Sequence, residues 1–326
     1  MTKPASVVLT LAAHEYRSAV RSRVLGLLIL SMVLVSAGSI TIAAYDYQAQ
    51  VADYHAYLSQ VKAAGGIVTV PPQLFPLQLL RAVIEYVQII GAVIAIGLGY
   101  LSVARERTGN TLRLISTRPV RLWQLFCGRV LGAGALIATI IVATATISVL
   151  LIGLVGGQWL TGAELIRVVI TFAAAIIYML LFYALGFWLT ARTKALVNGL
   201  VVALVVWLSV VLVIPQIGDT MDPDNQVPGG LFAALQVKKP DEKRVLAHFG
   251  TYEKLRNGIE ETSLTKHFER GVFAVTGIKD KYNGKPLAVI ADSKRSDIEW
   301  FAAYAALMSA LMLAGLKRER LTQKES

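Results

Sequence analysis

Six stretches of the chain are almost wholly apolar, near 24–44, 83–103, 130–155, 168–190, 196–216 and 299–316. Crossing about 30 Å of hydrocarbon takes about twenty helical residues rising about 1.5 Å each, so each run is read as one membrane-spanning helix. The first begins after a 23-residue lead and is long, which marks it as a retained span rather than a cleaved signal. Residues 5–23 follow a helical period, with Val8, Leu11, Ala12, Tyr16, Ala19 and Val20 on one stripe and Thr10, His14, Arg17 and Arg21 largely opposite. That pattern predicts an amphipathic helix lying in the membrane interface and leading into span one.

Between spans five and six the period is helical but the faces are polar. Pro240, Asp241 and Glu242 open a run with Val245, Phe249, Tyr252 and Ile259 on one stripe, and Ser263 is placed to cap a second run from Phe268 to Val275, with Gly271 and Gly277 suited to close packing. Pro71, Pro72 and Pro76 predict an extended entry into span two. The expected fold is therefore an all-α membrane protein of six transmembrane helices with an N-terminal amphipathic interface helix and helical extracytoplasmic segments. Its units are 1–23, 24–216 with the first five spans, 217–298 as an extracytoplasmic helical loop, and 299–326 with the last span and a basic tail.

Charge sets the orientation. Sixteen Lys and Arg fall in the two tails and the second and fourth loops, against three (Lys62, Arg81 and Arg167) in the first and third. Short basic loops stay cytoplasmic, so both termini are expected inside a cell (inner) membrane. The long fifth loop carries both signs in near balance, and long loops cross largely regardless of charge. Tyr45, Tyr47, Tyr100, Trp123, Trp188 and Trp300 fall near span ends, where interface anchors are expected.

Composition narrows the chemistry. The chain of 326 residues is 55% hydrophobic and 16% charged, with a mean hydropathy of +0.59, which excludes a soluble fold. A net charge of +11 does not make a nucleic-acid surface, because the basic residues punctuate apolar runs. The one cysteine, Cys127, forms no internal disulfide, and His55, His248 and His267 lack ligand spacing and are expected solvated, so no metal site is predicted. No Walker A, GxGxxG or GxSxG sequence occurs, so no catalytic residue or cofactor is assigned to this chain.

No charged residue lies mid-span, which disfavours ion-coupled carriage. Gln88, Thr139, Thr144 and Ser148, with Thr146, are candidates for lining a substrate path. Back-bonding to their own helix is the competing reading. Gly128 and Gly132 form a GxxxG where another helix can approach, within the chain or from a second copy.

The stretch after span two is the most specific. Arg105, Glu106, Gly109, Thr111, Leu112, Ser116, Pro119, Arg121, Gly128 and Arg129 resemble the signature of type-2 ABC exporter permeases: an acidic and basic pair, "GTL", a Ser and Pro followed by a basic residue, then Gly and Lys or Arg. Asn110 separates Gly109 from Thr111, where that family has them adjacent. As physics alone the segment is a compact basic hairpin, with a short helix near Arg105 to Ile115. The resemblance implies a coupling helix near 104–118 that seats in a groove of a separate ATPase. Arg105, Glu106, Arg107, Gly109, Thr111, Leu112 and Arg113 would contact that ATPase, and Glu106→Ala would uncouple it. It further implies two copies of a cognate ABC ATPase carrying the ATP and Mg, a second permease copy in a homodimer or heterodimer, and an outer gate to which Phe268 and Phe273 are assigned. The enlarged loops are similar to those of permeases associated with multicopper-enzyme and nitrous-oxide-reductase maturation. Two other classes compete: an assembly or mechanotransmission protein acting through its extracytoplasmic loop, and a membrane-embedded enzyme, for which clustered acidic or His residues are lacking.

Overall fold

The computed structural model describes residues 4–63, 75–108, 120–221, 241, 250–278 and 282–322, and no strand occurs among them. Helix α1 (Pro4–Val20) is followed after a two-residue break by α2 (Arg23–Ala63). Then come α3 (Pro76–Thr108), α4 (Leu122–Leu154), α5 (Gly162–Arg192) and α6 (Leu196–Gly218). Helices α7 (Gly250–Glu261), α8 (Leu264–Thr276) and α9 (Leu287–Ser293) precede α10 (Arg295–Thr322). Among the described residues six helices, α2 to α6 and α10, are long and apolar enough to cross a membrane. This is the all-α, six-span fold that the hydropathy pattern predicts.

Helices α3 and α5 form the centre, with 61% of each apolar window buried inside the chain, against 22%, 17% and 11% for α2, α6 and α10. The last three turn large apolar faces outward, where only lipid or another protein can cover them. At the α3–α5 contact the backbones touch. A Cβ added at Gly99 would collide with the Tyr183 carbonyl oxygen and lie 2.6 Å from the Phe187 nitrogen, and one at Gly186 would lie 2.6 Å from the Ile96 oxygen. Two glycines thus bring the two central helices together without intervening side chains.

Several boundaries differ from the sequence expectation. Helix α2 does not stop near residue 44 but continues to Ala63, because no glycine or proline interrupts residues 39–64. Tyr47 is therefore no headgroup anchor; it is buried and its Oη donates to Gln158 Oε1 at 3.0 Å. Helix α3 starts at Pro76, in a 3-10 turn through Leu80, where proline's fixed φ suits a first turn. Residues 105–108 complete α3 rather than opening a separate helix, since no breaker precedes Gly109. Pro71 and Pro72 lie outside the described residues, as do 242–249 of the first run expected in loop five.

The α1 stripe of Val8, Leu11, Ala12, Tyr16 and Ala19 turns inward as expected, and only its last member departs. Val20 is exposed, while Glu15 is buried beside the stripe, where α1 packs on α4. A Cβ at Gly128 would sit 2.6 Å from Leu11 Cβ, and one at Gly132 2.6 Å from the Ala12 oxygen. The GxxxG thus serves packing within the chain. In α8, Ser263 caps as expected, its Oγ accepting from the Lys266 N–H at 3.3 Å. Gly277 ends that helix with φ 76°, a left-handed cap rather than a packing site, and a Cβ at Gly271 would meet nothing within 4 Å.

Candidate functional site

Three successive side chains at the foot of α3 point in three directions, as residues about 100° apart on a helix must. Arg105 Nη1 donates to Ser18 Oγ of α1 at 2.7 Å. Glu106 pairs through Oε2 with Arg129 Nη2 of α4. Arg107 donates to the Ala191 and Thr193 carbonyls at 2.9 and 2.7 Å, which are open acceptors because α5 ends there. One turn of α3 thus grips α1, α4 and α5 together.

Arg129 is 4% exposed, and its guanidinium also lies 4.8 Å above the Phe187 ring, a further favourable seat for a cation. The segment 109–119 departs from this turn; Gly109, Thr111, Leu112, Arg113, Ser116 and Pro119 lie outside the described residues. Sequence reasoning reserves Arg105, Glu106 and Arg107 for a partner, and the structure gives all three contacts within the chain. In the sequence Arg129 stands out only as part of a motif. A basic residue at the start of an apolar run, 23 positions after a lone acid, is the signal for the pair.

At the other end of α3 the helix widens into a π turn over Val87–Gly91, a feature frequent at functional positions. Gln88 sits in it. Its carbonyl accepts from Tyr178 Oη of α5 at 3.1 Å, and its Nε2 donates to the Thr265 carbonyl of α8 at 3.4 Å. Phe268 stacks on Tyr178 with centroids 4.5 Å apart and faces Phe301 of α10 at 6.4 Å. Phe273, also buried, meets Arg81, whose guanidinium is 5.9 Å from its ring. A second π turn, Leu208–Val213 of α6, meets the Ser263 cap of α8 through the Val210 carbonyl, at 3.5 Å. Both π turns therefore face the helix that carries Phe268 and Phe273.

The four substrate-path residues do not converge. Gln88 belongs to this junction. Thr144 and Ser148 are buried, and each donates to the carbonyl four residues back, at 3.0 and 2.7 Å. Thr139 is exposed, back-bonded to Ala135 and 3.4 Å from Tyr16 Oη.

His267 corrects the expectation of solvation: it is 3% exposed. Its Nδ1 is 2.8 Å from Asp297 Oδ1 and its Nε2 2.8 Å from the Glu261 carbonyl oxygen, both acceptors, so the ring is placed to donate from both nitrogens. Trp300 stacks on it at 5.7 Å, and Lys294 Nζ holds the other Asp297 oxygen at 3.0 Å. Sequence spacing hides this group because its members come from α8 and α10. Arg167 donates to the Val275 and Lys285 carbonyls, fastening the end of α8 and the turn before α9 to α5.

Glu260, buried on α7, pairs with Arg270 and with Arg256. Burial pushes its carboxyl up, but Arg270 and Arg256 beside it pull it further down, so it ends below the usual carboxylate range. A depressed folded value contributes stability that is present above the ordinary glutamate range of about 4.3 and is lost as pH falls through the folded value. Amide-exchange protection of α7 is therefore expected to drop as pH falls through the folded value of Glu260. In Glu260→Gln that acid step disappears; an unchanged step would show that another group controls it.

A family model described as ABC-2 family transporter protein matches residues 9–316. No curated protein matches the chain.

Proposed function

The chain belongs to the ABC-2 family transporter proteins, a multi-pass membrane subunit of an ABC transporter, and from that premise we propose that it is an exporter permease driven by a separate ATPase. The observation that carries this reading is the grip of Arg105, Glu106 and Arg107 on α1, α4 and α5. A push on segment 109–119 from an ATPase would move four helices together instead of bending one loop. Helix α3 then carries the movement over the about 27 Å between Glu106 and Gln88, at about 1.5 Å per residue, to the junction with α8 that holds Phe268.

In this reading the side bearing both termini is cytoplasmic, Gly109, Thr111, Leu112 and Arg113 contact the ATPase, and ATP and Mg are bound by that partner. The outward apolar faces of α2, α6 and α10 favour pairing with a second permease copy, giving a dimer served by two ATPase subunits. Phe268 and Phe273 act as part of the outer gate through their packing on α5 and α3.

The test is affinity purification of the tagged chain from its native membrane in mild detergent, with mass spectrometry of co-purifying proteins and an ATPase assay. An ATPase with Walker A and ABC signature motifs is expected, its activity retained on the column. Absence of any such protein in several detergents would overturn the reading.

A further inference from the structure

A cavity of about 280 Å³ opens between α5, α8, α9 and α10, walled by Ile170, Phe268, Val272 and Phe301. Its lining is otherwise apolar except for Thr171 and, at one end, the group formed by His267, Asp297 and Lys294. Thr171 is the informative residue. It is 1% exposed, and its Oγ1 has no hydrogen-bond partner among the described residues. The hydroxyls of Thr139, Thr144, Thr146, Ser148 and Thr190 all donate to the carbonyl four residues back, the usual way a spanning helix satisfies them. A buried hydroxyl left without a partner is costly, and of the two such hydroxyls among the described residues, Ser36 and Thr171, it is Thr171 that lines this cavity, where an acceptor from outside the chain would complete it.

The surroundings specify that acceptor's owner. Ile298, at the edge of the cavity, is 56% exposed, so the cavity opens on the apolar flank of the chain. An apolar void of about 150 Å³ already stays dry and takes a hydrocarbon, and this one is larger. Lys294 stands at its end with one of its three N–H donors on Asp297, and the others suit an acidic head group. A second hollow, between α4 and α5, has no charged residue in its lining, and its Thr146 is back-bonded; nothing there selects a ligand.

We propose that the cavity is a binding site for an anionic acyl lipid, drawn from the leaflet opposite the termini. Its chain lies against Phe268, Val272 and Phe301, its ester carbonyl accepts from Thr171, and its head group sits at Lys294. Occupancy would brace the α8 helix against α5 and α10. The site is independent of whether an ATPase drives the chain.

The experiment reconstitutes the full chain in phosphatidylcholine vesicles with a trace of phosphatidylglycerol bearing a photoactivatable acyl chain, followed by peptide mapping. Labelling is expected on α8 and α10 at Phe268, Val272 and Phe301. Unlabelled phosphatidylglycerol should compete several-fold better than phosphatidylcholine, a readout that needs no variant. Gly271→Leu fills the cavity from a position where a Cβ meets nothing and should abolish that labelling, and Thr171→Val should lower it several-fold. Labelling spread evenly over the exposed positions Val169 and Val201, or unaltered in both folded variants, would overturn the site. Equal competition by the two lipids would overturn its preference for an acidic head.

Discussion

Glu106→Ala is expected to lower the thermal stability of the purified chain sharply, on the order of 3–5 kcal/mol, because it removes the carboxylate paired with a buried guanidinium. Arg129 is 4% exposed, so water cannot replace the lost carboxylate, and the Phe187 ring returns only part of the interaction, about 1–2 kcal/mol. From sequence alone the same substitution is expected to spare the fold and uncouple the ATPase; the pair with Arg129 adds a folding cost that must be separated from coupling. The double variant Glu106→Leu with Arg129→Met does so. Removing both charges together commonly recovers stability, while leaving α3 and α4 without their directional tie. It should melt near the wild type yet stimulate a co-purified ATPase less than the wild type does. A wild-type melting temperature in Glu106→Ala would show that the pair contributes little to stability. Full stimulation by the double variant would instead show that the pair is structural only.

The fold is legible because membrane spans announce themselves by length and hydropathy, which need no tertiary information. Caps are legible for the same local reason: Ser263 reads as a helix start from its place before an apolar run, and it accepts from the Lys266 amide. What sequence does not show is pairing between distant elements. Glu106 and Arg129 are 23 residues apart on different helices, and a motif reading assigns Glu106 outward to a partner and gives Arg129 no partner within the chain. His267 looks solitary until α10 delivers Asp297 and Trp300. The end of span one is misplaced by hydropathy because polar residues such as Asp46 and Gln48 mark where lipid stops, not where a helix does, and α2 continues to Ala63. Gln88 stands out as polar at depth, yet polarity alone does not distinguish a pathway residue from one that ties α3 to α8.

The glycines of the central pair give the second large effect. Gly97 and Gly99 are two residues apart on α3, and their substitutions by alanine are expected to have opposite signs. At Gly97 an added Cβ meets nothing within 4 Å, so Gly97→Ala gains helix propensity, up to about 1 kcal/mol, without a clash. At Gly99 the obstacles are the Tyr183 oxygen and the Phe187 nitrogen; these are backbone atoms that no rotamer change can move. Alanine there must separate α3 from α5, an overpacking cost of about 1–3 kcal/mol. Gly186→Ala attacks the same contact from the other side, through Ile96, so the double variant should cost less than the sum of the singles, since one separation relieves both clashes. Thermal unfolding of the four variants checks the order. Equal melting temperatures for Gly97→Ala and Gly99→Ala would mean that the two helices do not touch as described. If they do touch, the separation also has a functional consequence, because α3 meets Tyr178 of α5 through the Gln88 carbonyl, about three turns from Gly99. Gly99→Ala should then loosen the Phe268 packing that depends on Tyr178, read as faster amide exchange in α8, while Gly97→Ala leaves α8 as it was.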